Sequence, residues 1–452
     1  MTVEEIKTIS FSELVRLGDF KCACGRIHSP GVKKVIIESG AIRKIPDILR
    51  KSGAKKPFIL SGHDTFCAAG DAVCTVLQKA GIPFASYVFP SSPVRPTEYT
   101  VGSAVMHFDY SCDVIIGVGS GVINDTGKLL AKATGRDYMV VGTAPSMDGF
   151  VSGTSSMDRD GLKVSLYSTI PWCVIGDLDI LCKAPLHLLR AGVGDMLAKI
   201  ISLSEWKLAH IIVGEYYCPV ISGLVENALN KVMLSTDALI HRDPEAVKAV
   251  MEGLMIAGIA MNYAGVSRPA SGTEHYFSHI WDMRSLAFED ADFEQHGIQA
   301  GIGTLYTLMA YNEITRQNIR PDHEKAIRYA ASFSLEAWNR KLLAFIGPGA
   351  NAMIAGENKE HKYDTDKHAR RLKIIEERWD DITNIIAEMP HATEIRALME
   401  SIGLPVSASC IGYTSDQVRT TFTMTKDIRN KYVGTRLFWD LGILDEIAED
   451  TF

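Results

Sequence analysis

The sequence predicts an N-terminal α/β domain on a parallel sheet, followed by an all-helical domain, and two observations carry that reading. As far as Asp177, short β-rich runs alternate with helical periodicity, the pattern of βαβ units whose strands lie parallel. Beyond Asp177 come long segments of 3.6-residue period with little strand signal. The break falls near residues 178–185, which gives an α/β domain over 1–182 and an all-helical domain over 183–452.

The strand runs are Val35-Ile36-Ile37, Phe58-Ile59-Leu60, residues 84–89, Val114-Ile115-Ile116, residues 138–141 and Val174-Ile175. Helical patterns lie between several of them, at 41–51 and 68–80, and the second domain carries longer ones at 186–213, 224–241 and 245–266. Asp243-Pro244-Glu245 marks the start of the last of these, because it supplies a capping acceptor, a proline at the first helical position and an acid in the first turn. Residues 356–381 are dense in charge and read as a solvated amphipathic helix with its preceding loop.

With 452 residues, 46% of them hydrophobic, the chain can bury more than one core. A net charge of −7 supplies no bulk field for a polyanion, so no nucleic-acid partner is expected. Nine cysteines, an odd number without a dense framework, read as reduced thiols of the cytoplasm. Glu4, Glu5 and Glu13 stand where a secretory leader would need a basic start and an apolar run. The apolar stretch 250–266 holds Glu252 and Asn262 and falls short of the roughly 20 residues a bilayer requires, so no membrane partner is expected either.

Three strand ends carry candidate chemistry. The run from Asp113 enters Gly117-Val118-Gly119-Ser120-Gly121-Val122-Ile123 and then a helical pattern, where glycines let the backbone approach a pyrophosphate and a helix N-terminus offers N–H groups to it. The spacing departs from G-x-G-x-x-G, so a simple tight turn is the competing reading. Asp64, after the second strand, could accept hydrogen bonds from adenosine ribose or cap the helix that begins near Phe66. The strand at 138–141 ends in Gly142-Thr143-Ala144-Pro145-Ser146-Met147-Asp148-Gly149, and three polar strand ends suggest one crevice.

His275 and His279 are four apart and project from one helix face, with His296 further on and Asp195 at a glycine-marked helical start. Carboxylate and imidazole donors with a position left open suit a divalent metal such as zinc, nickel or iron, although histidines of this spacing also occur as hydrogen-bonded core residues. Cys22-Ala-Cys24-Gly-Arg-Ile-His28 offers at most three soft ligands and lacks the second half of a zinc module, so a metal-free loop is expected there.

Taken in order, GVGSGVIND, TAPSMDGFVS, GVGDMLAK, SRPASGTEHYFSH and KDIRNKYVGTRLFWDLGILD resemble motifs of the iron-dependent alcohol dehydrogenase and dehydroquinate synthase superfamily, most closely those of its bacterial glycerol-1-phosphate dehydrogenases. The resemblance covers most of residues 20–445 and implies a dehydroquinate synthase-like fold. By that resemblance, Asp64, Gly119, Ser120, Gly121, Val122, Ile123, Thr143, Ala144, Pro145, Ser146 and Ser152 contact NAD(H) or NADP(H). Asp195, His275 and His296 bind one divalent metal, nickel or zinc with iron the alternative, and Asp148 and His279 touch the substrate with Asp195 beside them. The implied reaction is reversible reduction of dihydroxyacetone phosphate to sn-glycerol 1-phosphate in a cytoplasmic homodimer, with His279 relaying a proton. Arg268 and Lys199 are the nominees for the phosphate, with ordinary ion pairing as the competing reading. The alternatives are a dehydrogenase of glycerol or another unphosphorylated polyol, a dehydroquinate synthase-type eliminating enzyme and a non-catalytic metabolite-binding protein. Ser120 in place of a small glycine and the length of the 356–381 segment depart from the family pattern.

Overall fold

The computed structural model describes residues 1–160, 162–288 and 294–452. Pro57–Gly62 and Val114–Gly119 are buried along their whole length, as unbroken apolar runs require of strands covered on both faces. Six strands among the described residues pair in parallel in the order Lys34–Glu38, Cys173–Asp177, Asp137–Gly142, Val114–Gly119, Pro57–Gly62, Ala85–Phe89. From Pro57–Gly62 the chain moves out to the edge strand Ala85–Phe89 and then returns to the opposite side of Pro57–Gly62. The strand order therefore reverses between Pro57–Gly62 and Val114–Gly119, and such a switch point opens a crevice at the C-terminal strand ends. Ser61 lies opposite Val118, so Gly62 and Gly119 finish side by side at that crevice.

Beneath it, Ile59, Ile116, Val118, Met139 and Ile175 pack with Ile48, Leu49, Val73 and Leu77 of the flanking helices. The helix expected from residue 41 begins instead at Ile45, as Ile45–Ser52, after a tight turn at Ala41–Lys44. Pro46 accounts for the delay, because a proline without an N–H is best placed in a first helical turn.

The described residues form two compact units, and they do not follow one cut at 182/183. The first holds Met1–Asp160, Val164–Met196 and Pro219–Ser267; the second includes Leu197–Cys218 and Arg268–Phe452. The helix Pro244–Ala264 groups with the α/β unit because its small and polar residues meet that unit's loops. A side chain at Gly258 would come within 2.8 Å of the Asp148 carbonyl oxygen, and Asn262 Nδ2 donates to Val151 O and Pro30 O, each at 2.9 Å. Asp243 caps this helix as expected, accepting from the Glu245 and Ala246 N–H groups at 3.0 Å.

In the second unit, Thr273–Phe288 packs closely against His296–Arg316: a Cβ at Gly303 would collide with the Glu274 carbonyl. Ile280 and Met283 extend this core to Leu342 and Ile346. The charged stretch is helical on both sides of residues 361–364, as Ala350–Glu360 and Thr365–Glu377, with Leu372 and Ile375 inward. Among the described residues no helix is long and apolar enough to cross a membrane.

Candidate active site

Glycine sets the geometry of the crevice. A Cβ at Gly119 would lie 2.6 Å from Ile123 Cβ, so only glycine lets the helix Gly121–Thr134 start this close to the strand end. Ser120 O accepts from Asn124 N at 2.9 Å, which closes the first turn. Ser120, Gly121 and Val122 stay partly exposed, while Ile123 is buried. The helix N-terminus thus presents backbone donors and a positive dipole end at the switch point.

The next strand end is tied to this turn, since Thr143 N donates to Gly119 O at 3.3 Å, and Ser146 N closes on Ala144 O at 3.1 Å. Gly192 then lets the helix Leu186–Leu197 come in underneath, because any side chain there would run into the Pro145 carbonyl oxygen. One helical turn later Asp195, fully buried, accepts from the Asp148 backbone N–H at 2.8 Å.

Residues 148–154 are held mainly by side chains that the sequence reading passed over. Lys128 Nζ, buried and paired with Asp125 at 2.8 Å, donates to Gly149 O at 3.0 Å and to Ser152 Oγ at 3.3 Å. Asn124 Nδ2 reaches Gly149 O at 3.2 Å and Phe150 O at 3.3 Å. Ser152 Oγ also lies 3.1 Å from Gly149 O, so the hydroxyl expected at the cofactor is engaged in the loop's own bonds. Asp64 does not cap a helix. Thr65 Oγ1 accepts from Gly62 N at 3.0 Å, while the exposed Asp64 carboxylate accepts from the Ser92 hydroxyl at 2.6 Å.

In the second unit three imidazoles converge, with ring centroids 4.9 Å apart for His275 and His296 and 6.4 Å for His279 and His296. Glu274 Oε1 accepts from His275 Nδ1 at 2.8 Å and from Gly272 N at 2.6 Å. Ser278 gives its hydroxyl proton to Gln299 Oε1 at 2.6 Å, so toward His296 Nδ1, at 3.0 Å, it acts as acceptor. Both rings therefore carry the proton on Nδ1 and the lone pair on Nε2, the state in which a neutral imidazole binds a divalent cation. This donor set fits such a cation.

Glu205, from the helix Lys199–Val213, secures the start of the histidine helix: it accepts from Thr273 Oγ1 at 2.6 Å, Thr273 N at 2.9 Å and Gly434 N at 2.8 Å. Burial, and then the neighbouring Glu274, push its carboxyl up to about 7. Neither Glu205 nor Ser278 has a local sequence signature, and Glu274 was visible only as a neighbour of His275. Burial, followed by the positive charge of Arg429, holds His279 well below its ordinary value, so this ring is neutral; His296, His275 and Lys163 act in the same sense.

Arg268 is not placed to take a phosphate. It is fully buried, with Nε on Glu215 Oε1 at 2.8 Å, Nη2 on Glu215 Oε2 at 2.5 Å and Nη1 on Tyr432 O at 2.8 Å. Lys199 is likewise buried and donates to Ala270 O at 3.2 Å. Of the cations whose charge acts on His279, Arg429, which is exposed, acts most strongly, ahead of Lys163.

Residues 36–185 match the family described as iron-containing alcohol dehydrogenase. Solved structures with the same fold include glycerol dehydrogenase of Schizosaccharomyces pombe, with a TM-score of 0.58 at 15% identity over 93% of this chain and 90% of that one. A probable glycerol dehydrogenase of Sinorhizobium meliloti gives 0.59 at 16%, over 93% and 98%. The family match over residues 36–185 and the shared fold thus define the class, that of the iron-containing alcohol dehydrogenases. Nearer in sequence are two proteins named glycerol-1-phosphate dehydrogenase [NAD(P)+]. That of Bacillus licheniformis is 31% identical over 312 residues, 68% of this chain and 78% of that protein. That of Staphylothermus marinus is 33% identical over 283 residues, 62% and 78%. The chain belongs to the glycerol-1-phosphate dehydrogenase family.

Proposed function

We propose that the protein catalyses the reversible NAD(P)-linked reduction of dihydroxyacetone phosphate to sn-glycerol 1-phosphate. The observation that carries the reading beyond family membership is the pair of imidazoles whose tautomers Glu274 and Ser278 fix with Nε2 available. A bound nicotinamide supplies the hydride, and a divalent cation, nickel or zinc with iron the alternative, supplies Lewis acidity at the carbonyl oxygen. Asp195, His275 and His296 are the proposed ligands of that cation.

Asp64 accepts from the adenosine ribose, and the turn of Gly119, Ser120, Gly121, Val122 and Ile123 takes the pyrophosphate on its backbone N–H groups. Thr143, Ala144, Pro145 and Ser146 line the nicotinamide side, with Ser152 shaping the loop behind them. Asp148 accepts a substrate hydroxyl. His279, neutral in the resting site, relays the proton that the product oxygen gains, and Arg429 replaces Arg268 and Lys199 as the proposed phosphate partner. Nine cysteines with none in a disulfide suit a reducing cytoplasm, and a homodimer is the proposed assembly.

Steady-state kinetics on phosphorylated and unphosphorylated ketones test the reading. Charge-assisted hydrogen bonds contribute roughly 1.5–3 kcal/mol each, so two to the phosphate favour dihydroxyacetone phosphate over dihydroxyacetone by about a hundredfold or more in kcat/KM. Enantiomer-specific assay should find sn-glycerol 1-phosphate. Faster turnover of dihydroxyacetone or glycerol would assign the site to an unphosphorylated polyol instead.

A further inference from the structure

The segment Phe20 to His28 is a tight hairpin. Phe20 pairs with His28 and Lys21 with Ile27, while Cys22 N donates to Arg26 O at 2.9 Å and Gly25 N closes back on Cys22 O at 3.0 Å. Gly25 makes this turn at φ +86°, in the left-handed region. Cys22 lies two residues beyond Phe20, the partner of His28, so the Cys22 and His28 side chains share a face of the ladder. The ligand atoms of Cys22, Cys24 and His28 all lie within 4.8 Å of one another. Cys24 Sγ is 3.4 Å from His28 Nε2. That separation is about the edge of a tetrahedron with Zn–S arms of roughly 2.3 Å and Zn–N arms of roughly 2.0–2.1 Å.

His28 is prepared in the same way as the imidazoles of the active site. Its Nδ1 donates to the Tyr263 carbonyl at 2.9 Å, which leaves the Nε2 lone pair directed at Cys24. The ring is fully enclosed and packs against both Phe20 and Tyr263, with centroids at 5.4 and 5.5 Å, so the orientation is set by packing as well as by the hydrogen bond.

We infer that Cys22, Cys24 and His28 bind a structural metal ion of the zinc type, separate from the active-site cation, with Cys218 as its fourth ligand. Cys218 is bonded directly to Pro219, the first residue of the helix Pro219–Leu234. That helix packs on the N-terminal helix, where Gly223 faces Val3 and Lys7 and Asn227 Nδ2 donates to Lys7 O at 3.0 Å. Ala23 N in turn donates to the Met1 carbonyl at 3.3 Å, so the start of the chain links hairpin and helix. Three thiolates and one neutral imidazole make a closed tetrahedral set, which has no open position for chemistry and contributes folding energy instead. The metal-free loop expected from sequence came from counting ligands within one short segment; the fourth lies almost two hundred positions away.

Cobalt substitution of the purified full-length protein tests this without any variant. A thiolate-to-cobalt charge-transfer absorption is expected, and an active site of carboxylate and imidazoles cannot produce it. Its absence from protein shown by elemental analysis to contain two equivalents of cobalt and no zinc overturns the proposal. A second measurement uses His275→Ala/His296→Ala protein loaded with zinc: one equivalent should stay bound, and it should be lost when Cys22→Ser and Cys24→Ser are added. No retained zinc in the first, or full retention in the second, also overturns it. Because these readouts need no turnover, they stand apart from the fate of the proposed reaction.

Discussion

At the crevice proposed for the cofactor, the groups assigned to the ligand are mostly backbone. Gly119 admits the helix, Gly192 admits the next, and Lys128, Asn124 and Asn262 hold the loop by its carbonyls. Around the imidazoles the position of each group is set by another side chain: Glu274 by way of His275, Ser278 and Gln299 by way of His296, Glu205 by way of Thr273. A site built from backbone tolerates changes of side-chain chemistry and fails when space is lost. A site built from side chains fails when one donor or acceptor is removed. Substitutions in the glycine turn should accordingly act on stability and cofactor KM, and those at the imidazoles and Asp195 on metal content and kcat.

The largest effect is expected at His296. Lewis-acid stabilisation is worth several kcal/mol, and 1.36 kcal/mol is tenfold, so His296→Ala should lower kcat by about a thousandfold or more and reduce the active-site metal measured by elemental analysis. Cofactor affinity, read by fluorescence titration of NADH, should change little. A variant that keeps its metal and turns over normally would break the contrast at its strongest point.

How far the sequence discloses each half follows from the same contrast. The strands, the glycine turn and the two histidines one helical turn apart are short-range patterns, so period and spacing reveal them. Glu205, Lys128 and Gly303 act on residues 68, 21 and more than 20 positions away, and nothing in their immediate surroundings marks them. Arg268 shows the opposite failure. As a cation it is a nominee for the phosphate with ion pairing as the competing reading, and the structure shows the ion pair: Glu215 and the Tyr432 carbonyl occupy its guanidinium. The segments expected at 224–241 and 245–266 are helical, the first as parts of Pro219–Leu234 and Thr236–Ile240 and the second as Pro244–Ala264, but the unit that the last helix joins is decided by Gly258 and Asn262, whose partners are far away in the chain.

Gly119→Ala is the intermediate case. The intruding methyl would meet Ile123 at its Cβ, near the backbone, so the helix must shift rather than a side-chain tip. Overpacking of this kind costs about 1–3 kcal/mol, and thermal melting should show it. The same displacement moves the N–H groups proposed to receive the pyrophosphate, so the cofactor KM should rise while kcat at saturation holds. A fall in kcat at saturation with an unchanged KM would mean that the two halves do not divide binding from chemistry in this way.

The smallest effect should come from Asp64, the side chain proposed to read the cofactor in a crevice otherwise made of backbone. Its carboxylate is exposed, so water screens its charge and the bond to a ribose hydroxyl sits near the low end of the charge-assisted range, roughly 1.5 kcal/mol. Asp64→Ala should then weaken NADH by about tenfold, and NADPH less, because removing the carboxylate also relieves its repulsion of a 2′-phosphate. The ratio of the two kcat/KM values is the quantity to measure, since it cancels any general loss of active protein. Stability should hold, because Thr65, not Asp64, closes the turn after Gly62. Equal weakening of both cofactors would place Asp64 outside the ribose contact and leave discrimination between them to the backbone geometry of the turn.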